Sequence, residues 1–374
     1  MFIHQSKLPH VLLPEHYWSA ELFDQEQAKL FRPQWHWVGS LADLPGEGDF
    51  LTKDVMGTPV LIRKSSGTVH CYLNVCPHRH SMLSHQPSGN CETIKCQYHG
   101  WEFTESGKTG KIPDAKSFRP MPGGPECLTK FKTSLIGPLI FVNLAPDPDP
   151  IANQLGVTQA VLEQYAADRW RRVDHWDFDF PANWKIVAEN TVESYHLDSV
   201  HSQTLQAAAC EEDIEHEIHD SGTVMRSTTI APAFYKRLAD FVLPRLQPGC
   251  DHQYQLHHCF PGLFVIRIDA MLQVMSLTPI TATSCHMDVS VFILRAEKET
   301  AFTRLLTTMW GRLKSSVIRK ILAEDAAIYP DLQRGMENSP FKGSISTREE
   351  LVFALQEYVA RNCGLDHLID KTDA

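Results

Sequence analysis

Along residues 20–32 (AELFDQEQAKLFR), Leu22, Phe23, Leu30 and Phe31 recur at near-helical spacing, and Pro33 ends the pattern. From Trp35 the period changes. WHWVGS, TPVLIRK, TVHCYLNV and LIFVNL are short β-prone runs divided by Gly, Ser and Pro clusters. They predict a small all-β domain ending near Leu144. The stretch APDPDP (145–150) has prolines at alternate positions and can continue neither helix nor strand, so it reads as a linker. Beyond it, 155–168, 183–200, 299–336 and 347–362 carry helical patterns, and 172–179, 222–231, 254–278 and 284–294 are strand-like. Strands grouped together and flanked by helices predict an α+β domain on an antiparallel sheet. There is no internal repeat or low-complexity stretch.

The 374 residues are enough for two ordinary domains, and 43% hydrophobic residues can fill their cores. The formal charge is 35 − 45 = −10 with no basic block, which argues against nucleic acid or an anionic membrane as the main partner. An acidic surface suits a basic redox partner. The ten cysteines are scattered, which favours thiols and metal ligands over disulfides. The N-terminal residues lack the pattern of a signal peptide, and no run of 18 apolar residues occurs, so the expected location is the cytoplasm.

Two Cys–His pairs carry the first chemical signal. One residue separates Cys76 from His78, two separate Cys96 from His99, and 17 lie between the pairs. Each pair follows a β-prone run (Leu73-Asn74-Val75 and Thr93-Ile94-Lys95), so the ligands fall in two loops at strand tips. In a Rieske centre two thiolates hold one iron of a [2Fe-2S] cluster and two imidazoles hold the other. A structural zinc site also uses Cys2His2, but fingers pair Cys with Cys and His with His. Here each loop supplies one of each, and His80 and His85 fall outside the pairs. CPHRH and CQYHGW resemble the cluster boxes of the Rieske non-haem iron oxygenase family. His80 departs from the small residue many members carry there.

The segment 183–201 (NWKIVAENTVESYHLDSVH) carries the second signal, with Asn183 as helix cap and Glu193, His196 and His201 on an otherwise apolar pattern. On an ideal helix two residues five apart point about 140° away from each other. His196 and His201 therefore meet at one metal only if the helix bulges or ends between them. Two solvated histidines on an ordinary helix are the alternative. NWK…EN…E-x-x-H-x4-H below a Rieske pair resembles the catalytic signature of the same family. The resemblance implies a mononuclear Fe(II) on a 2-His-1-carboxylate triad, with positions open for O2. Its late-helix Asp maps to Asp325, in EDAAI…QRG, with Glu324 and Asp331 as competitors.

The resemblance implies a Rieske domain over 35–146 and a catalytic domain of helix-grip (START-like) type from 1–34 and 147–374. It implies a ring of like subunits, usually a trimer, with each cluster beside its neighbour's iron. A carboxylate joins the two centres, here His99 of one chain, Glu193, and His196 of the next. A second-shell carboxylate on its own His196 is the alternative for Glu193; Glu189 and Asp198 are left as structural. A reductase, directly or through a ferredoxin, supplies the electrons. The expected activity is hydroxylation or oxidative dealkylation of a small organic substrate, with cis-dihydrodiol formation from an arene as the rival. Glu rather than Asp at 193 resembles the carnitine and quaternary-ammonium monooxygenase branch. Such a substrate calls for an aromatic cage, with Phe234, Tyr235, Tyr254, Phe260 and Phe264 as candidates. Arg267 is a candidate for a substrate carboxylate, with a plain edge or rim arginine as the alternative. A Rieske electron-transfer protein without catalysis is the reading from another class. Iron quantitation separates the two: about three irons per chain are expected for the oxygenase and about two for the carrier.

Overall fold

The computed structural model describes residues 2–121, 124–202, 204, 213–228, 233–249 and 253–369. Cys210, Cys250 and the end of the expected strand 222–231 lie outside these. The chain divides into two compact units, Pro33–Ile151 and Met1–Arg32 with Ala152–Ala374.

In the first unit, β1 (His36–Ser40), β2 (Asp49–Val55), β3 (Thr58–Ser65), β4 (Thr68–Leu73), β5 (Ser88–Asn90), β8 (Lys130–Ile136) and β9 (Leu139–Asn143) form a seven-stranded sheet, ordered β1-β9-β8-β4-β3-β2-β5. Between β5 and β8, β6 (Ile94–Lys95) and β7 (Glu102–Phe103) make a separate hairpin. Apolar residues line its core, and β9 is buried at every position. Cys76 and Cys96 belong to the core cluster, among Phe50, Leu61, Tyr72, Trp101 and Phe103. The two Cys–His loops thus grow out of this core.

The second unit is built on an antiparallel sheet ordered β10-β16-β15-β14-β13-β12-β11. Its strands are β10 (Trp170–Phe180), β11 (Ile214–His219), β12 (Gly222–Thr228), β13 (Gln253–Cys259), β14 (Leu263–Ile268), β15 (Met271–Thr281) and β16 (Ser284–Leu294). Its helices include α1 (Ala20–Glu26), α2 (Ile151–Leu155), α3 (Thr158–Glu163), α4 (Trp184–Val192), α5 (Leu197–Val200), α6 (Ala233–Leu246), α7 (Ala301–Asn338) and α8 (Glu350–Cys363). The expected strand-like run 254–278 is three strands, because turns at Pro261-Gly262 and Asp269-Ala270 reverse the chain inside it. Strand β11 and helix α6 were not expected.

Cross-strand register assigns the two faces of this sheet. Phe264, Met275, Val289 and Trp176 form one row across four strands, and the Arg319 guanidinium of α7 lies 4.0 Å above the Trp176 ring. That face looks toward the helices. Arg267, three positions on from Phe264, sits opposite Gln255 and Leu272 on the other face. It therefore does not share a face with the residues that look toward α7.

The helices are tied together by buried polar contacts. Lys185 of α4 and Glu26 of α1 form an ion pair at 2.5 Å with both side chains fully buried, and the Trp184 indole donates to the same carboxylate at 2.7 Å. Breaking such a pair from one side leaves an uncompensated buried charge. Glu26→Ala is therefore expected to cost about 3–5 kcal/mol, and Glu26→Gln, which keeps an acceptor for Trp184, less. Thermal denaturation of the two variants checks the order; an unchanged melting temperature for Glu26→Ala would remove this pair from the stability account.

Candidate metal centres

The two Cys–His loops have matching backbones. Cys76 N–H donates to Ser81 O at 2.8 Å and His80 N–H to Cys76 O at 2.9 Å. Cys96 N–H donates to Trp101 O at 2.8 Å and Gly100 N–H to Cys96 O at 3.0 Å. His80 and Gly100 occupy the equivalent turn position, and both are left-handed, at φ 60° and 71°. The departure seen in the sequence is thus a side chain at a site where backbone sterics favour glycine.

Cys76 and Cys96 are buried, and His78 and His99 are progressively more exposed. The two imidazoles are 4.6 Å apart, His78 lies flat on Trp101 at 4.8 Å, and Phe118 stands edge-on to both rings. Burial pushes the Cys76 thiol up, while backbone N–H groups of His78 and Arg79 donate to the sulfur. These are the donors a buried thiolate ligand needs. Burial, with His99 and Arg79 nearby, lowers His78 and favours a neutral imidazole. A tetrahedral zinc would draw all four donors to within about 4 Å of one another. Among the described residues the group that converges to within 4.8 Å lies elsewhere, and the two Cys–His pairs are not part of it. Thiols below and imidazoles above suit a binuclear cluster with a ligand pair on each iron.

Two residues that the sequence did not single out support these loops. Asn74, buried, exchanges side-chain hydrogen bonds with the Ser84 backbone at 2.9 and 3.0 Å. Arg63, also buried, donates to Cys91 O and Glu92 O at 2.9 and 2.8 Å. An Asn two residues before the first Cys was the available signal for the former.

In the second unit, α4 stops at Val192 and Glu193 is extended. The helix expected to run to 200 therefore breaks before both histidines, not between them. Glu193 Oε2 captures the N–H groups of Tyr195 and His196, which gives the backbone an alternative to the helical ladder. His196 and His201 then flank the single turn α5 as its N- and C-caps. Their rings are 5.2 Å apart. His201 Nε2 lies 3.1 Å and His196 Nε2 3.5 Å from Asp325 Oδ1. These three residues form the converging group.

Asp325 Oδ1 is buried and accepts no aligned hydrogen bond. An orphaned carboxylate oxygen facing two imidazole nitrogens fits a shared cation. Both Nδ1 atoms are already engaged, His196 by Glu193 Oε1 and His201 by Glu324 Oε2 at 2.7 Å. Each Nε2 is thereby turned toward the common point. Burial opposes charge on His201, but Asp325 and Glu324 outweigh it and raise its pKa. Glu324 thus reaches the far side of His201, and the other competitor, Asp331, is exposed and outside the group. Of the five candidate aromatics, Tyr254 is near Asp325, whose charge adds to burial in raising the phenol. Phe234 is exposed, Tyr235 bonds Asp269, and Phe260 and Phe264 pack on Tyr358 and His258. Arg267 shares its face with Arg226 and His257, opposite the face of Tyr254. It lies on the far side of the sheet from Tyr254, which supports the rim reading over the substrate-carboxylate one.

The family model "Ring hydroxylating alpha subunit (catalytic domain)" matches residues 167–365, and "Rieske [2Fe-2S] domain" matches 34–131. The chain is 28% identical over 206 residues to the glycine betaine monooxygenase oxygenase subunit of Chromohalobacter salexigens, covering 55% of this chain and 46% of that protein. It is 30% identical over 193 residues to the 2-halobenzoate 1,2-dioxygenase large subunit of Burkholderia cepacia, covering 49% and 42%. The chain thus spans less than half the length of these curated relatives. Its fold is that of the quaternary ammonium Rieske monooxygenase CntA, with TM-score 0.77, 18% identity and coverage of 96% and 95%.

The equivalence of His80 and Gly100 generates opposite expectations. Gly100→Ala is expected to lose about 1 kcal/mol through left-handed strain, since its Cβ would meet nothing closer than 3.4 Å. His80→Gly is expected to be neutral or slightly stabilising. Melting followed by cluster absorbance tests both, and equal effects of the same sign would refute the equivalence.

Proposed function

Because the chain belongs to the ring-hydroxylating alpha-subunit family and carries a Rieske [2Fe-2S] domain, we propose that it is the oxygenase component of a Rieske non-haem iron system. The observation that carries this is the convergence of His196, His201 and Asp325 in a chain that also holds the two Cys–His pairs. Cys76, His78, Cys96 and His99 would hold the cluster, and His196, His201 and Asp325 a mononuclear Fe(II). When bound, the first group relays single electrons and the second activates O2.

The residues of the chain then have these tasks. The thiols and imidazoles fix two iron environments, and Trp101 holds His78 in plane. Glu193 keeps His196 in the tautomer that presents Nε2. Its side chain stays 10% exposed, which leaves an edge for a second imidazole. In the proposed ring of subunits, a homotrimer, that imidazole is His99 of the adjacent copy. Electrons come from a reductase or ferredoxin.

For the substrate we favour a quaternary ammonium compound. The likeness to glycine betaine monooxygenase, Glu at position 193 and the Tyr254 ring near Asp325 support it. The likeness to 2-halobenzoate dioxygenase keeps an aromatic acid as the second reading. O2 uptake with a surrogate reductase tests both: glycine betaine or carnitine should stimulate uptake, and stimulation by aromatic acids alone would reverse the preference. In Glu193→Ala, iron content and cluster absorbance should persist, while substrate-dependent O2 uptake falls by about 100-fold. Normal uptake in that variant would end the bridge reading.

A further inference from the structure

His196 and His201 are both flanked by carboxylates, but the two flanks differ. Glu193 sits in the extended break after α4, and its partners are His196 and local backbone N–H groups. Glu324 sits inside the 38-residue helix α7. Its Oε2 accepts from His201 Nδ1 at 2.7 Å, and its Oε1 accepts from the Thr204 hydroxyl. Thr204 N–H in turn donates to His201 O at 2.9 Å. The His201 ring, its own backbone carbonyl and the Glu324 carboxylate thus close a loop through Thr204. His201 is also the more enclosed ring, with 1% of its side chain exposed against 14% for His196.

We propose that Glu324, held by Thr204, is a positioning residue that locks His201 as the fixed ligand of the mononuclear site. It holds Nδ1 protonated and Nε2 free for the metal, and its negative charge makes Nε2 a better donor. His196 is left as the ligand that responds to Glu193. Glu324 itself is spent on this contact and is not a ligand. This rests on the reading that His196, His201 and Asp325 hold the iron.

The test is Fe(II) titration of anaerobically stripped protein, with cluster absorbance as the control for folding. Wild type should take up Fe(II) outside the cluster, and Asp325→Ala should not. Glu324→Ala should weaken Fe(II) binding by about 10- to 100-fold. Glu324→Gln, which keeps an acceptor but loses the charge, should fall between, and Thr204→Val should weaken binding less than Glu324→Ala. Co(II) in the stripped site should show a shifted visible spectrum in Glu324→Ala. If Glu324→Ala does not fold, Glu324→Gln and Thr204→Val still decide. Wild-type affinity and an unchanged Co(II) spectrum in these variants would overturn the positioning role and leave the site reading standing. Absence of any Fe(II) uptake by wild type would overturn the site reading instead.

Discussion

The candidate metal site of the second unit depends on how α7 is registered against the start of α4. Asn183, the N-cap of α4, donates its backbone N–H to Gln333 Oε1 of α7 at 2.8 Å, and Gln333 Nε2 donates to Tyr17 O at 3.3 Å. Asn183 and Gln333 are both buried, so an unpaired group here would carry its full desolvation cost. Ile318, Leu322, Asp325, Tyr329 and Gln333 are buried at three- and four-residue steps, one stripe on one helix. Once Gln333 is pinned, Asp325 is carried to a fixed height beside the turn that holds His196 and His201. Asp325 is the carboxylate in this stripe, and its buried Oδ1 faces the two imidazoles with no aligned hydrogen bond, which supports the proposed ligand role.

Charge leads to the same conclusion. Glu193, Glu324 and Asp325 all contact the two histidines, which places three carboxylates around two imidazoles in a largely enclosed space. Buried anions need compensation, and two histidines provide it only when protonated. A divalent cation at the common point would supply the same two positive charges with both imidazoles neutral and leave both Nδ1–H groups to the outer carboxylates. In the proposed site the same residues would therefore set ligand geometry, tautomer and electrostatic demand together.

How legible each part was follows from the range of the interactions. The Cys–His pairs are local, and their spacing alone separated a Rieske pattern from a zinc finger. Asp325 lies more than a hundred residues from His196, so only the family resemblance could nominate it. The break at Glu193 was missed because ESY holds no helix breaker; the interruption comes from a side chain capturing backbone N–H groups. The run 254–278 concealed two turns because tight hairpins between apolar strands leave only Pro-Gly and Asp-Ala as marks. Strand β11 (IEHEIH) was lost behind its polar alternation, and Pro244 interrupts the helical pattern of α6.

Exposed aromatic side chains stand beside both candidate centres. Tyr98 is 57% exposed with its ring 3.7 Å from that of His99, and Tyr195 is 65% exposed beside His196. Large exposed aromatics beside candidate ligand histidines are the kind of surface a neighbouring subunit would cover. Buried cysteines and the exposed His99 would give the proposed cluster one accessible edge, and Glu193, 10% exposed, would give the second centre one. An imidazole N–H and a carboxylate oxygen are complementary donor and acceptor. Glu193 already accepts from its own His196, and in the proposed ring its remaining exposed edge would be met by His99 of an adjacent copy.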